Sequence, residues 1–262
     1  PDASVSGSAA KAMQSYRQFL DLQNTDPKLR AEALRRLGDL NLESGELERM
    51  SSEVTQLDLQ GAEAIKLYAT LLKAYPEYAR NDQVLYQLAR AYETTGQSDE
   101  ALKTLELIIK RYPAAREIAE VHFRRGELLF SGKRYAESQG AYEQVVARGA
   151  AGSTFYDQSL YKLGWSLFKQ GQNEESLKPF ATLLDRTLLD RKHPGAARSW
   201  ESLSRADREL AEDTLRVMSI ACSYLDGAKS VDQLLATRGA TYTPALKRAD
   251  IGVAMGLIGT DV

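Results

Sequence analysis

Residues 84–113 read VLYQLARAYETTGQSDEALKTLELIIKRYP, and their two apolar stripes decide the fold. Leu85, Leu88, Ala89 and Tyr92 recur at helical spacing before Gly96 breaks the run. Ala101, Leu105 and Ile108 form a second stripe, which Pro113 ends. The pattern predicts two antiparallel amphipathic helices joined by a tight turn. Ala89 and Ala101 are the small residues that let the pair approach closely, while Leu85, Tyr92 and Leu105 fill the space around them.

The same slots recur in VHFRRGELLFSGKRYAESQGAYEQVV, residues 121–146, as Gly126, Leu129, Ser138, Tyr142 and Val145. They recur again in SLYKLGWSLFKQGQNEESLKPFATLL, residues 159–184. There they are Leu160, Leu163, Gly164, Leu167, Gly171, Ser176, Phe180 and Leu183. The small slots at 89, 126 and 164 are 37 and 38 residues apart. Fixed-period self-similarity is the mark of a repeat architecture, and these intervals exceed the usual ~34 of one such repeat by a few residues. The sequence resembles the tetratricopeptide repeat, with its large-large-small-large first helix, small-large-small second helix and closing proline. That resemblance implies an all-α fold, a right-handed superhelix (α-solenoid) of antiparallel helix hairpins.

Upstream, EALRRLGDLNLESG places Leu34, Leu37, Gly38 and Gly45 in first-helix slots, with Gly45 at the turn. The second helix is delayed to AEAIKLYATLLKAYP, where Ala64, Tyr68, Leu71 and Pro76 fit. Residues 46–61 then form an insertion, either a mobile loop or an extension of either helix. Before it, Ala12, Tyr16 and Phe19 stack on a lone second helix, so the chain is expected to begin in mid-repeat. Downstream, Ser204 with Asp207 predicts a helix start. Val217, Ile220, Ala221 and Tyr224 suggest a further first helix ending at Gly227, and SVDQLLATRG a shortened second one. The expected organisation is a partial repeat over 1–28, repeats over 29–188, a degenerate helical segment over 189–238 and a non-repeat tail over 239–262.

That tail, TPALKRADIGVAMGLIGTDV, resembles the hinge segment of P-type cation ATPases. In that family the metal-binding carboxylates precede this string, but the corresponding positions here hold Arg238, Gly239, Thr241 and Tyr242. The Asp-Lys-Thr-Gly phosphorylation motif is also absent. Phosphoryl transfer depends on holding phosphate and metal charge, so no ATPase activity is expected.

Composition narrows the function further. Of 262 residues, 34 are Lys or Arg and 36 Asp or Glu, and the signs are interleaved. No basic stripe offers the phosphate contacts that nucleic-acid binding needs. No apolar stretch is long enough for a membrane span. The lone Cys222 lies in an apolar run, and His122 and His193 share no metal-ligand spacing. Acidic pairs at Asp99-Glu100 and Glu174-Glu175 open predicted helices, where the macrodipole favours them. Neither catalytic residues nor a cofactor or metal site is expected.

Stacked repeats line a groove with their first helices. By register its candidates are Tyr86, Arg90, Phe123, Glu127, Phe130, Tyr161, Trp165, Phe168 and Lys169. One branch of the resembled family clamps a terminal carboxylate with Lys and Asn, but the asparagine slots here hold Arg90, Glu127 and Trp165. These aromatics either line the groove or pack between neighbouring repeats; helical spacing allows both. The expected function is a scaffold or assembly factor that binds a protein or peptide. The alternatives are a structural subunit of a larger complex or homo-oligomer and, more distantly, an enzyme. YPEYARNDQVLYQLARAYETTGQ and FRRGELLFSGKRYAES are similar in style to bacterial cell-envelope repeat proteins. That resemblance implies a periplasmic or outer-membrane-associated setting, with the cytoplasm as the alternative.

Overall fold

A computed structural model describes residues 3–22, 26–51, 59–189 and 198–227, and residues 229, 230, 233, 234 and 236. Among these residues every regular element is a helix. The chain divides into two compact units, Pro1–Val121 and His122–Val262.

In the first unit α1 (Ala3–Asp21) packs on α2 (Pro27–Ser51), α2 on α3 (Leu59–Ala74), α3 on α4 (Asn81–Thr94) and α4 on α5 (Ser98–Arg111). Its core gathers Leu37, Leu42, Tyr68, Leu71, Val84 and Leu88. From α1, Met13, Tyr16 and Leu20 pack against this core, and Ala12 and Phe19 of the line read in the sequence are half-buried like them. Gly45 does not end α2: it is buried inside a helix that runs on to Ser51. The residues after it are mostly good helix formers, and so the insertion is in part an extension of both flanking helices. Residues 52–58 of the insertion lie outside the described residues.

The helix α6 (Ile118–Ser131) spans the division. The second unit continues with α7 (Tyr135–Val146), the one-turn α8 (Gly149–Gly152), α9 (Tyr156–Lys169), α10 (Asn173–Leu188) and α11 (Arg205–Ser223). The α8 turn accounts for part of the lengthened period. α9 packs on α7 and α10, and α10 on α11. Phe180, Leu184, Leu215, Val217, Met218 and Ala221 form the core where α10 meets α11. Ser204 caps α11 by accepting the Asp207 backbone N–H at 3.0 Å, as the sequence predicts. Val217 and Ala221 are buried as read, but Tyr224 is 69 % exposed. The described residues from 229 to 236 are helical.

Small first-helix residues set the hairpin spacing. A Cβ on Gly38 would lie 2.6 Å from the Tyr68 ring, one on Gly126 2.6 Å from Tyr142, and one on Gly164 2.6 Å from Phe180. Each ring is fully buried. Thus a second-helix aromatic rests directly on first-helix backbone, which only glycine permits. The hairpin of residues 84–113 uses buried Ala89 and the smaller Leu105 instead.

Candidate functional site

The nine groove candidates fall in both units, and each set is described within its own unit. In the first, Tyr86 is buried on α4 and donates its hydroxyl to Glu120 at 2.5 Å. Arg90, one turn further on, donates to Glu46 at 2.5 Å and to Gln87 at 3.1 Å.

The equivalent face of α2 carries a polar network that the groove reading overlooked. Arg35 sits between Glu32 at 2.6 Å and Asp39 at 2.7 Å. The Tyr68 hydroxyl donates to Asp39 at 2.8 Å, and the Tyr78 hydroxyl to Glu32 at 2.5 Å. Hydrogen bonding from Arg35 holds the Glu32 carboxyl down at about pKa 2. Asp39 moves the other way: burial raises its pKa despite the same arginine and the tyrosine hydroxyl. The sequence did hold a signal for this network. Asp39 follows Gly38 as Glu127 follows Gly126, and both hairpins carry tyrosine at the second-helix slot.

In the second unit the Tyr142 hydroxyl donates to Glu127 at 2.5 Å, and Lys162 pairs with the same carboxylate at 3.2 Å. Burial keeps the Tyr142 phenol protonated, so it remains a donor. In the next hairpin Phe180 replaces tyrosine and the residue after the small slot is Trp165. With no hydroxyl to satisfy, that slot is free to be apolar.

The aromatic candidates of the second unit are all half-buried. Phe123 stacks on Phe155 with centroids 4.8 Å apart, and Phe130 meets Tyr135 edge-on at 5.3 Å beneath the Lys162 ammonium. Tyr161, Trp165 and Phe168 form one row, with centroids 6.3 Å and 5.7 Å apart, and Phe168 continues it to Tyr224 at 6.3 Å. The row packs against the α10–α11 core, and the Tyr161 hydroxyl donates to Asp213. Packing between repeats and partial exposure therefore coexist in the same side chains. Exposed Lys169 places its ammonium 5.5 Å from the Trp165 ring.

Among the described residues no group of three or more His, Cys, Asp or Glu could hold a metal. His122 is buried and neutral, held at about pKa 4 by burial and by Arg148 and Arg125; His193 lies outside the described residues. Burial pushes the Cys222 thiol up to about 11, away from the thiolate that a nucleophile needs. No helix among the described residues is long and apolar enough to cross a membrane.

Tetratricopeptide repeat family models match residues 59–122 and 158–186. No curated protein matches the chain. Among solved structures, the apo form of RapI aligns at a TM-score of 0.55 and 14 % identity, covering 97 % of this chain and 69 % of RapI. A structure of MamA aligns at 0.53 and 17 %, covering 70 % and 90 %. BtubC from P. vanneervenii aligns at 0.53 and 14 %, covering 98 % and 91 %. At such identities the likeness is one of fold. The tail from Thr243 to Val262 lies outside the described residues and outside both matched ranges, so its ATPase resemblance gains no support. The fold is the all-α helix-hairpin repeat fold of tetratricopeptide proteins, and residues 59–122 and 158–186 carry recognisable repeats of that kind.

Proposed function

We propose that this chain is a non-catalytic scaffold or assembly factor that binds a partner polypeptide through the first-helix faces of its hairpins. The observation that carries this reading is the aromatic row Tyr161–Trp165–Phe168–Tyr224, anchored in the core at one end and 69 % exposed at the other. Large rigid side chains held in place by a core are the residues that dominate protein interfaces. The polar faces of α2 and α4 would contribute orientation more than affinity, because their charges are already paired. The style of residues 75–97 and 123–138 supports a cell-envelope setting for that partner.

The test is affinity capture from the source organism with mass spectrometry, run beside a Trp165→Ala variant of unchanged helicity. A partner bound by the parent and weakened in the variant by about 2 kcal/mol or more supports the reading. Equal retention by both proteins removes the aromatic row from it. A stable homo-oligomer by light scattering, with no foreign partner, would favour the structural-subunit alternative.

A further inference from the structure

The second helices share a triplet: a small residue, then large apolar ones four and seven places on. In α3 it is Ala64, Tyr68 and Leu71, and in α5 Ala101, Leu105 and Ile108. In α7 it is Ser138, Tyr142 and Val145, and in α10 Ser176, Phe180 and Leu183. None of these residues is more than 1 % exposed, and each triplet has its own first helix over it. In α1 the same triplet is Ala12, Tyr16 and Phe19, and all three are only half-buried. α1 packs on α2, the first helix of the following hairpin, and no described helix stands to it as α2 stands to α3.

We infer that this face of α1 docks an amphipathic helix of a separate polypeptide, which takes the first-helix place of the hairpin. The repeat itself dictates the chemistry of that helix. Tyr68 and Tyr142 rest on Gly38 and Gly126, where no Cβ fits. Each donates its hydroxyl to the residue that follows the glycine, Asp39 at 2.8 Å or Glu127 at 2.5 Å. Tyr16 holds the same slot, and no described residue accepts its hydroxyl. The incoming helix therefore needs glycine over the Tyr16 ring and Asp or Glu directly after it. It also needs apolar residues one and four places before, as Leu37 and Leu34 stand to Gly38. Docking takes half-exposed apolar surface out of water and gives the phenol an acceptor. A second copy of the chain has no such helix to spare. α2, α4, α6 and α9 already cover their own second helices, and Ala221, the small residue of α11, is buried.

The probe is a blocked, fluorescently labelled peptide of residues 30–44, RAEALRRLGDLNLES, which carries the Gly38–Asp39 pair. Its anisotropy is followed as the full chain is added. Saturable binding is expected, at least about tenfold weaker for a peptide with Gly38→Leu, whose side chain would collide with the ring. Ala12→Arg in the protein, at unchanged helicity, is expected to abolish binding. Tyr16→Phe keeps the ring and loses the hydroxyl, and should weaken binding about three- to tenfold. A peptide with Asp39→Ala should be weakened as much, and should lose nothing more to Tyr16→Phe. Should Ala12→Arg lose helicity, the conservative Tyr16→Phe still decides. No saturable binding, indifference to Gly38→Leu or to a folded Ala12→Arg, or equal binding by Tyr16→Phe would each overturn the inference. So would a homodimer in light scattering that the peptide dissociates, because the occupant would then be a second copy.

Discussion

The hairpin α2–α3 and the hairpin α9–α10 solve one packing problem and present chemically different faces. In both, a fully buried ring from the second helix lies on a first-helix glycine. In α2–α3 the ring is Tyr68, whose hydroxyl emerges at Asp39 and recruits Arg35 and Glu32 into a charged network. In α9–α10 the ring is Phe180, no hydroxyl emerges, and Trp165 opens an aromatic row. A single oxygen atom on a core ring thus accompanies the change from a polar to an aromatic face. The hairpin α6–α7 combines the two chemistries, with the tyrosine and its carboxylate but with Phe123 and Phe130 alongside. The core slot and the outer face are chemically coupled in this repeat, because a buried phenol must find an acceptor.

The largest effect should come from breaking what the hairpins share. Gly164→Leu drives side-chain atoms into the Phe180 ring, where even a Cβ would lie at 2.6 Å. Overpacking ordinarily costs about 1–3 kcal/mol, and the upper end or beyond is expected where ring and backbone touch. Gly140→Ala is the matched control, since a Cβ there meets nothing within 4 Å. That substitution should be neutral or stabilising by up to about 1 kcal/mol, as expected for alanine replacing glycine inside a helix. Gly149, in the linker, is unsuitable as a control because its φ of +71° penalises any side chain. Thermal or urea unfolding of the two variants decides the point, and equal losses would break the common register.

Removing the hydroxyls tests the difference between the faces. Tyr68→Phe leaves Asp39, whose side chain is 19 % exposed, without its phenolic donor; the expected cost is about 1.5–3 kcal/mol. Tyr142→Phe does the same to Glu127, but that side chain is 37 % exposed, so water replaces the donor and about 1 kcal/mol is expected. Urea midpoints in the reverse order would show that the Asp39 network is not held by its tyrosine.

How legible these features were in the sequence depends on range. The small-residue slots repeat with the period, and so the three ring-on-glycine contacts could be aligned before any coordinates. The Ser204 cap is local and was equally readable. Arg35, Asp39 and Glu32 were passed over because each looks like one more member of an interleaved surface. Their partners Tyr68 and Tyr78 lie 29 and 46 residues away, beyond any helical periodicity. Gly45 misled for the opposite reason: it occupies the turn slot, yet the residues after it continue the helix. Whether an aromatic faces a neighbour or solvent was not decidable from spacing, and in the row from Tyr161 to Phe168 the two descriptions turn out to overlap.

The charged face also predicts a pH response. Glu32 has a folded pKa of about 2 against an ordinary 4.5, with Arg35 the largest favourable cause. A depressed carboxylate stabilises the fold above its unfolded pKa, and the benefit disappears as pH falls from 4.5 towards 2. Asp39, raised by burial, acts in the opposite sense and offsets part of this. Glu32→Gln should lower the melting temperature at neutral pH and flatten its decline across that acid window. Parallel acid melting curves for parent and variant would show that Glu32 does not carry the dependence.

The smallest expected effect lies in the turn between the helices of each hairpin. The residue seven places after the small slot is Gly96 with φ of 75° in one hairpin and Gly171 with φ of 76° in another. In α6–α7 the same place holds Lys133, with φ of 59°. A side chain in this left-handed region crowds the following carbonyl, at a cost of roughly 1–2 kcal/mol, whereas glycine adopts it freely. Lys133 is exposed, so its side chain contributes no buried contact that would offset the strain. Glycine carries more entropy in the unfolded chain, which returns part of the gain. Lys133→Gly should therefore stabilise the protein by about 0.5–1 kcal/mol, raising the urea midpoint without changing its slope. Gly171→Lys, the reciprocal change, should cost a similar amount. If Lys133→Gly instead destabilises, the lysine is held by something beyond its backbone, and the three turns are not equivalent.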